Sequence, residues 1–174
     1  MRRLGPDDWR TWRDMRLAAL TDAPRAFGSS WAKEQGYAEA DWRAWLAPAR
    51  GLKVVAEHDA GMVGAWVPAD RGGAVELYTM WVRPEWRGRG VAGSLISEVL
   101  DWARAHDHPR VDLWVTGENA AAERLYRRHG FTMTAETQPH PAFDGLLEHL
   151  MTRPAPPAGA PSAGCEPSRR GEER

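Results

Sequence analysis

Hydrophobic positions along the chain change period several times, and each change marks an element. Trp9, Trp12, Met15, Leu17 and Leu20 recur at helical spacing behind Pro6-Asp7-Asp8, whose carboxylates suit the positive end of a helix dipole. After Asp22-Ala23-Pro24 the pattern lapses into a loop, Ala26-Phe27-Gly28-Ser29-Ser30, and a second helical stretch follows, ending near Trp45 and Leu46. Leu52 to Glu57 and Met62 to Val67 flank His58-Asp59-Ala60-Gly61, which reads as a tight hairpin turn. Residues 74–82 are rich in β-branched and aromatic side chains and read as a largely buried strand. Val91, Leu95, Val99 and Trp102 then define one face of a helix over 90–106. A strand at 111–116, a helix at 119–128 and strands near 131–137 and 145–152 complete the order, which predicts an α/β layered domain. Ahead of the first helix only Arg2-Arg3-Leu4 is available for a strand. Either that strand is a stub or the chain starts downstream of its natural beginning.

The junction between the strand at 74–82 and the helix at 90–106 is Arg83-Pro84-Glu85-Trp86-Arg87-Gly88-Arg89-Gly90. A glycine-rich loop that opens a helix is suited to phosphate, because the first helical turn, here Val91 and Ala92, has N–H groups without intrahelical partners. Glycines at 88 and 90 let the backbone approach a pyrophosphate, and Arg87 and Arg89 add charge-assisted donors. Gly88-x-Gly90-x-x-Gly93, with Asp112 roughly 20 residues on, satisfies the dinucleotide fingerprint. Its context does not fit: five residues separate the strand from the first glycine, and Asp112 opens the next strand instead of closing it.

In another frame, Arg87-x-x-Gly90-x-Ala92 resembles the Arg/Gln-x-x-Gly-x-Gly/Ala motif of the GNAT acyltransferases, the N-acetyltransferases that use acetyl-CoA. The lead-in Val82-x-Pro84-Glu85-x-Arg87-Gly88-x-Gly90 is similar to that family's approach to the motif. Val115-Thr116-x-x-Asn119-x-x-Ala122-x-x-x-Tyr126-x-x-x-Gly130-Phe131 resembles its second CoA-contacting segment. The resemblance runs from about residue 52 to 152. It implies a mixed, mostly antiparallel central sheet flanked by helices, with a splayed V between the strands at 74–82 and 111–116. It also implies acetyl-CoA as cosubstrate, held by Met80, Trp81, Val82, Arg87, Gly88, Arg89, Gly90, Val91, Ala92, Asn119, Ala122 and Tyr126. The acceptor would be a small-molecule or peptide amine, beneath an overhanging segment that offers Phe27 and Trp31, with Trp81 or Trp86 as further candidates.

Acyl transfer to an aliphatic amine, with an ordinary pKa of about 10.4, requires removal of a proton at neutral pH. Glu76 is the candidate base, directly or through water; the alternative is a strand-end glutamate facing solvent, since a one-residue change of register reverses its face. Glu57, on a neighbouring strand, is a weaker candidate. By the resemblance Tyr126 sits near the CoA sulfur, where it protonates or hydrogen-bonds the leaving thiolate; otherwise it is a packed helix aromatic. Asn119 caps its helix or bonds the pantetheine arm. A backbone N–H near Met80 to Val82 is the implied donor to the developing oxyanion. Direct attack of the amine in a ternary complex is the expected mechanism, ahead of Ser29 or Ser30 as nucleophile. Two other readings remain: a non-catalytic CoA-binding regulatory module, and the dinucleotide-binding domain.

Composition narrows the picture further. The 174 residues suit one domain, with 43% hydrophobic and 27% charged residues, as in an ordinary globular chain. A net charge of -1 gives no basic field, so nucleic acid is not an expected partner. Cys165 is the single cysteine and lies in the tail, which excludes a disulfide framework and a thiol nucleophile in the core. No run of residues is apolar enough to span a bilayer and Met1-Arg2-Arg3 opens no secretory signal; cytoplasmic residence without membrane association is expected. His106-Asp107-His108 stands at a helix end with no third ligand nearby, so no metal is expected. The domain is expected over 1–152, and the Pro/Ala/Gly-rich, then charged, segment 153–174 as a disordered tail. The chain is expected as monomer or homodimer, with an exposed edge strand near 145–152 as the pairing element.

Overall fold

The apolar runs fold as strands β1 (Arg2–Arg3), β2 (Leu52–Val55), β3 (Gly61–Trp66), β4 (Val75–Val82), β5 (Arg110–Thr116), β6 (Thr132–Pro139) and β7 (Leu147–Pro154). The helical runs are α1 (Trp9–Asp22), α2 (Trp31–Glu34), α3 (Glu39–Trp45), α4 (Val91–Ala105) and α5 (Ala120–Arg128). These elements belong to a computed structural model that describes residues 1–155. The strands form one sheet in the order β1-β2-β3-β4-β5-β7-β6. Neighbours are antiparallel except β4 and β5, which run parallel. Their pairing covers only Val75↔Val111, Glu76↔Asp112 and Leu77↔Leu113, and beyond it the strands part. This is the expected mixed, mostly antiparallel sheet with its splayed V.

Each face of the sheet carries its own core. On one, Leu95, Ile96, Val99, Leu100 and Ala103 of α4 are buried against the central strands, joined by Tyr126 and Phe131. On the other, Trp12, Met15, Trp42, Leu46, Met62 and Trp81 form an aromatic-rich cluster beneath α1 and α3. The inward stripe of α1 contains Arg16, while Leu17 is only partly buried. The single helical stretch expected before Trp45 is two helices. Ser30 caps α2 through Lys33 N–H at 3.3 Å, and Asp41 accepts from Ala38 N–H at 2.9 Å to start α3. Separate caps at both starts, with Gly36 between them, explain the break.

The stub strand forms: Arg2 pairs with Val55, Arg3 with Val54, and Leu4 N–H reaches Lys53 O at 2.9 Å. The β2–β3 hairpin closes through a short 3-10 turn in which His58 and Asp59 have φ of 56° and 50°. The expectation of an exposed edge at 145–152 is corrected. β7 returns between β5 and β6, paired to β5 from Arg110↔Pro154 to Thr116↔Glu148, so the edge strand is β6. Arg153 and Pro154, assigned by composition to the tail, lie in β7. Ala155 is buried, its N–H on Pro109 O at 3.0 Å. The rest of the expected tail, 156–174, lies outside the described residues. Among those described, no helix is long and apolar enough to cross a membrane.

Candidate active site

The V between β4 and β5 is widened by a bulge. Met62 pairs with Trp81 but Gly64 with Tyr78, so β4 uses one residue more than β3 across the same span. Thr79 in that span has φ of 53°, which is unusual for a β-branched residue. A bulge takes a residue out of the ladder and frees its polar backbone groups. Gly64 is needed opposite: a Cβ there would stand 2.7 Å from the Tyr78 ring.

Three adjoining cavities follow the V. The middle one, of about 410 Å³, runs from Thr79 through Met80, Trp81 and Val82 to Asn119, Ala122 and Tyr126. At the far end Gly88, Gly90, Val91 and Ala92 line a second cavity with Arg128 and His129. At the near end a cavity of about 490 Å³ holds Glu76, Trp66 and Glu148, and shares Phe27, Leu77, Tyr78, Thr79 and Trp114 with the middle one.

At the glycine loop, Gly88 and Gly90 have φ of 74° and 82°, and a Cβ at either would meet nothing within 4 Å. Glycine is required there for left-handed backbone, with no steric demand. Gly90 is the N-cap of α4 and supplies no side-chain cap, and Val91, Ala92 and Gly93 of the first turn line the cavity. Their N–H groups are the donor set a pyrophosphate needs. Gly93 lets the His129 ring close over the loop, since a Cβ would stand 3.0 Å from its Cε1. Burial, then Arg153 and Arg128, push the His129 imidazole down, favouring its neutral form. The two loop arginines are already engaged: Arg87 donates to Val82 O at 3.0 Å and pairs with Asp22, and Arg89 lies 5.2 Å over Trp86.

The acyltransferase (GNAT) signature in the loop now stands beside a comparison over most of the chain: the acetyltransferase (GNAT) family model matches residues 12–131. The chain belongs to this family. Mycothiol acetyltransferase from Beutenbergia cavernae is 38% identical over 82 residues, which is 45% of this chain and 28% of that protein. The chain therefore spans less than a third of that curated relative. A GNAT acetyltransferase structure from Streptococcus pneumoniae superposes with TM-score 0.73 at 18% identity, covering 88% of this chain and 96% of that one. yncA from Salmonella typhimurium, solved with its cofactor acetyl-CoA, gives TM-score 0.71 at 23% identity, covering 94% and 97%. Both share the fold of this GNAT protein.

Within the GNAT frame, the residues singled out from sequence separate into groups. Glu76 faces the near cavity, half-buried, and its Oε1 accepts from Trp66 Nε1 at 3.1 Å. Burial pushes its carboxyl up, helped by the charges of Asp112 and Glu148 and opposed by Trp66 and Arg71. Tyr126 is buried edge-on to Phe131 at 5.8 Å, and burial pushes its phenol up, so it stays protonated. Asn119 Oδ1 accepts from Ala122 N–H at 3.1 Å while lining the middle cavity, so it caps the helix and faces the cleft together. Trp81 donates to Asp22 Oδ2 at 2.9 Å and belongs to the core beneath α1.

Other candidates stand elsewhere. Trp31 is 44% exposed and lines none of these cavities, whereas Phe27 lies at the junction of two. Trp86 stacks on His58 beside the glycine loop, away from the near cavity. Glu57 is exposed on the hairpin turn, and Ser30 is used as a helix cap. Ser29 lines the near cavity with its Oγ enclosed and without a partner. Asp112 is buried between Arg110 and Thr152, leaving the dinucleotide fingerprint without a ribose partner. His106 and His108 bond the carbonyls of Trp102 and Gly73, and among the described residues no group of three or more His, Cys, Asp or Glu is arranged for a metal.

Sequence reasoning missed the buried residues of the near cavity. Arg16 is buried against Glu34, and Trp45 Nε1 donates to Tyr78 OH at 2.9 Å. The available signal for Arg16 was an arginine placed midway between Trp12 and Leu20 on an apolar helix stripe.

Proposed function

We propose that this protein transfers an acetyl group from acetyl-CoA to a primary amine by direct attack within a ternary complex. The observation that carries the proposal is the shared wall of Phe27, Leu77, Tyr78 and Thr79, where the near and middle cavities meet at the bulge. Two ligands entering from opposite sides meet there, and orientation of this kind is a large part of catalysis.

The family's cosubstrate fits the residues present. The open first turn of α4 and the glycine backbone would hold the pyrophosphate, and the apolar walls of Met80, Val82, Ala122 and Leu125 would take the pantetheine arm. When bound, acetyl-CoA supplies a thioester acyl group and a thiolate leaving group. Glu76 takes the proton of an acceptor ammonium, aided by a carboxyl made more basic through burial. Tyr126, held neutral, donates to the departing sulfur. Backbone N–H groups freed at the Thr79 bulge donate to the developing oxyanion, where fixed dipoles need no reorganisation.

Titration calorimetry with acetyl-CoA and with NAD, followed by thiol release with a panel of primary amines, tests this reading. Saturable acetyl-CoA binding and amine-dependent thiol release are expected. NAD preference, or acetyl-CoA binding with no release for any amine, would overturn it.

A further inference from the structure

Resting on the acetyltransferase reading, the charge and shape of the near cavity say more about the acceptor than that it is an amine. Glu76, Trp114 and Glu148 share one sheet face: Glu76 registers with Asp112, two residues from Trp114, and Thr116 registers with Glu148. The cavity of about 490 Å³ is sized for a small molecule. Its cations are spoken for or peripheral. Arg16 is bound bidentately to Glu34, Arg71 nearby is paired with Glu136 at 2.8 Å, and Lys33 is exposed at the rim.

Glu148 is 7% exposed and held by a neutral donor. Its Oε2 accepts from Gln138 Nε2 at 2.8 Å, while Oε1 faces His140 Nε2 at 3.8 Å, beyond hydrogen-bond reach. His140 has a fully buried side chain, its Nδ1 accepts from Ala142 N–H at 3.1 Å, and its Nε2 has no partner. With Nδ1 taken by Ala142 N–H, His140 offers Glu148 only an Nε2 that stands beyond hydrogen-bond reach. The enclosed, unpartnered Ser29 Oγ lies on the same cavity. A carboxylate kept from water in this way is stabilised by an incoming cation.

We propose that the acceptor is a small dication: one amine is acetylated beside Glu76 while a second protonated nitrogen binds Glu148. The body between them runs past Trp114, whose ring also carries the Arg71 guanidinium at 5.2 Å. A lone alkylamine fills only the first position and leaves Glu148 without its counter-ion. Glu148 is thus a specificity-determining residue.

The test uses the full chain and matched probes, putrescine against butylamine, with binding by calorimetry and acetylation by thiol release. Putrescine is expected to bind at least about tenfold tighter, the least effect of one charge-assisted hydrogen bond. Glu148→Gln is expected to bring putrescine to the butylamine level, and Glu148→Asp, which keeps the charge, to retain part of the preference. Circular dichroism of both variants checks that they fold. Equal affinities, a preference that survives Glu148→Gln, or binding of neither amine would overturn the inference. Acetylation of both amines with equal kcat/KM would overturn it and leave the acetyltransferase reading standing. Selective putrescine binding without acetylation would leave a dication site at Glu148 but overturn its assignment to the acceptor.

Discussion

Arg16 on α1 holds Glu34 on α2 through two hydrogen bonds, Nε to Oε2 at 2.9 Å and Nη2 to Oε1 at 2.7 Å, with both side chains almost fully buried. A third donor, Nη1, reaches Thr79 Oγ1 at 3.2 Å, so the pair also ties the overhanging segment to the bulge in β4. Removing one partner of a buried pair leaves the other charge uncompensated. Arg16→Met is therefore expected to lower stability by about 3–5 kcal/mol, read from denaturant midpoints. The double change Arg16→Met with Glu34→Leu is expected to recover most of that loss. A double variant no more stable than the single would show that the charge pair is not the source of the effect.

Glu76→Gln is expected to reduce kcat by roughly 10²-fold or more while leaving acetyl-CoA affinity intact. The same change has a stability signature. Burial raises the Glu76 carboxyl, so its contribution is fully present below the unfolded glutamate pKa of about 4.3 and is lost as pH rises through the raised folded value. At neutral pH Glu76→Gln is thus expected to melt at a higher temperature than the parent, with the two converging in acid. A lower melting temperature at neutral pH would contradict the assigned burial.

Tyr126→Phe keeps the ring packed on Phe131 and removes only the hydroxyl. Loss of an acid for the departing thiolate is expected to lower kcat by roughly 10²-fold. Because burial holds the phenol neutral, the parent should show no basic limb from Tyr126 below pH of about 10. An unchanged kcat would return Tyr126 to a packing role.

Gly90→Ala places a Cβ in open space but on backbone with φ of 82°. The conformational strain is roughly 1–2 kcal/mol. Relief by rotation would re-aim the first-turn N–H groups of α4, so acetyl-CoA affinity is expected to fall further than stability does. Calorimetry and thermal melts on the same sample separate the two, and equal affinity in parent and variant would remove the loop from the binding site.

The left-handed glycines of the loop before α4, the Asn119 cap and the place of Tyr126 on its helix were legible in the sequence because each depends on local requirements: a φ sign, a helix start, or a helical interval. Glu76 was legible as a residue type only, since its face follows from pairing with Trp66 on β3 and Asp112 on β5. Trp31 and Phe27 were indistinguishable as aromatics in one loop, and packing put one on the surface and the other between two cavities.

Local periodicity and the spacing of motifs thus determined, from the sequence alone, where most of the helices and strands lie, which loop opens on a helix start, and which family the chain resembles. Tertiary structure decided the rest. Strand order placed β7 inside the sheet, with Glu148 on the same face as Glu76. The bulge at Thr79 and the burial of Arg16 against Glu34 arise only when distant segments meet. The physical reason is range. A backbone dihedral or a helical face is set by neighbours a few residues away, whereas the field at a carboxylate and the width of a cleft are set by groups far apart along the chain.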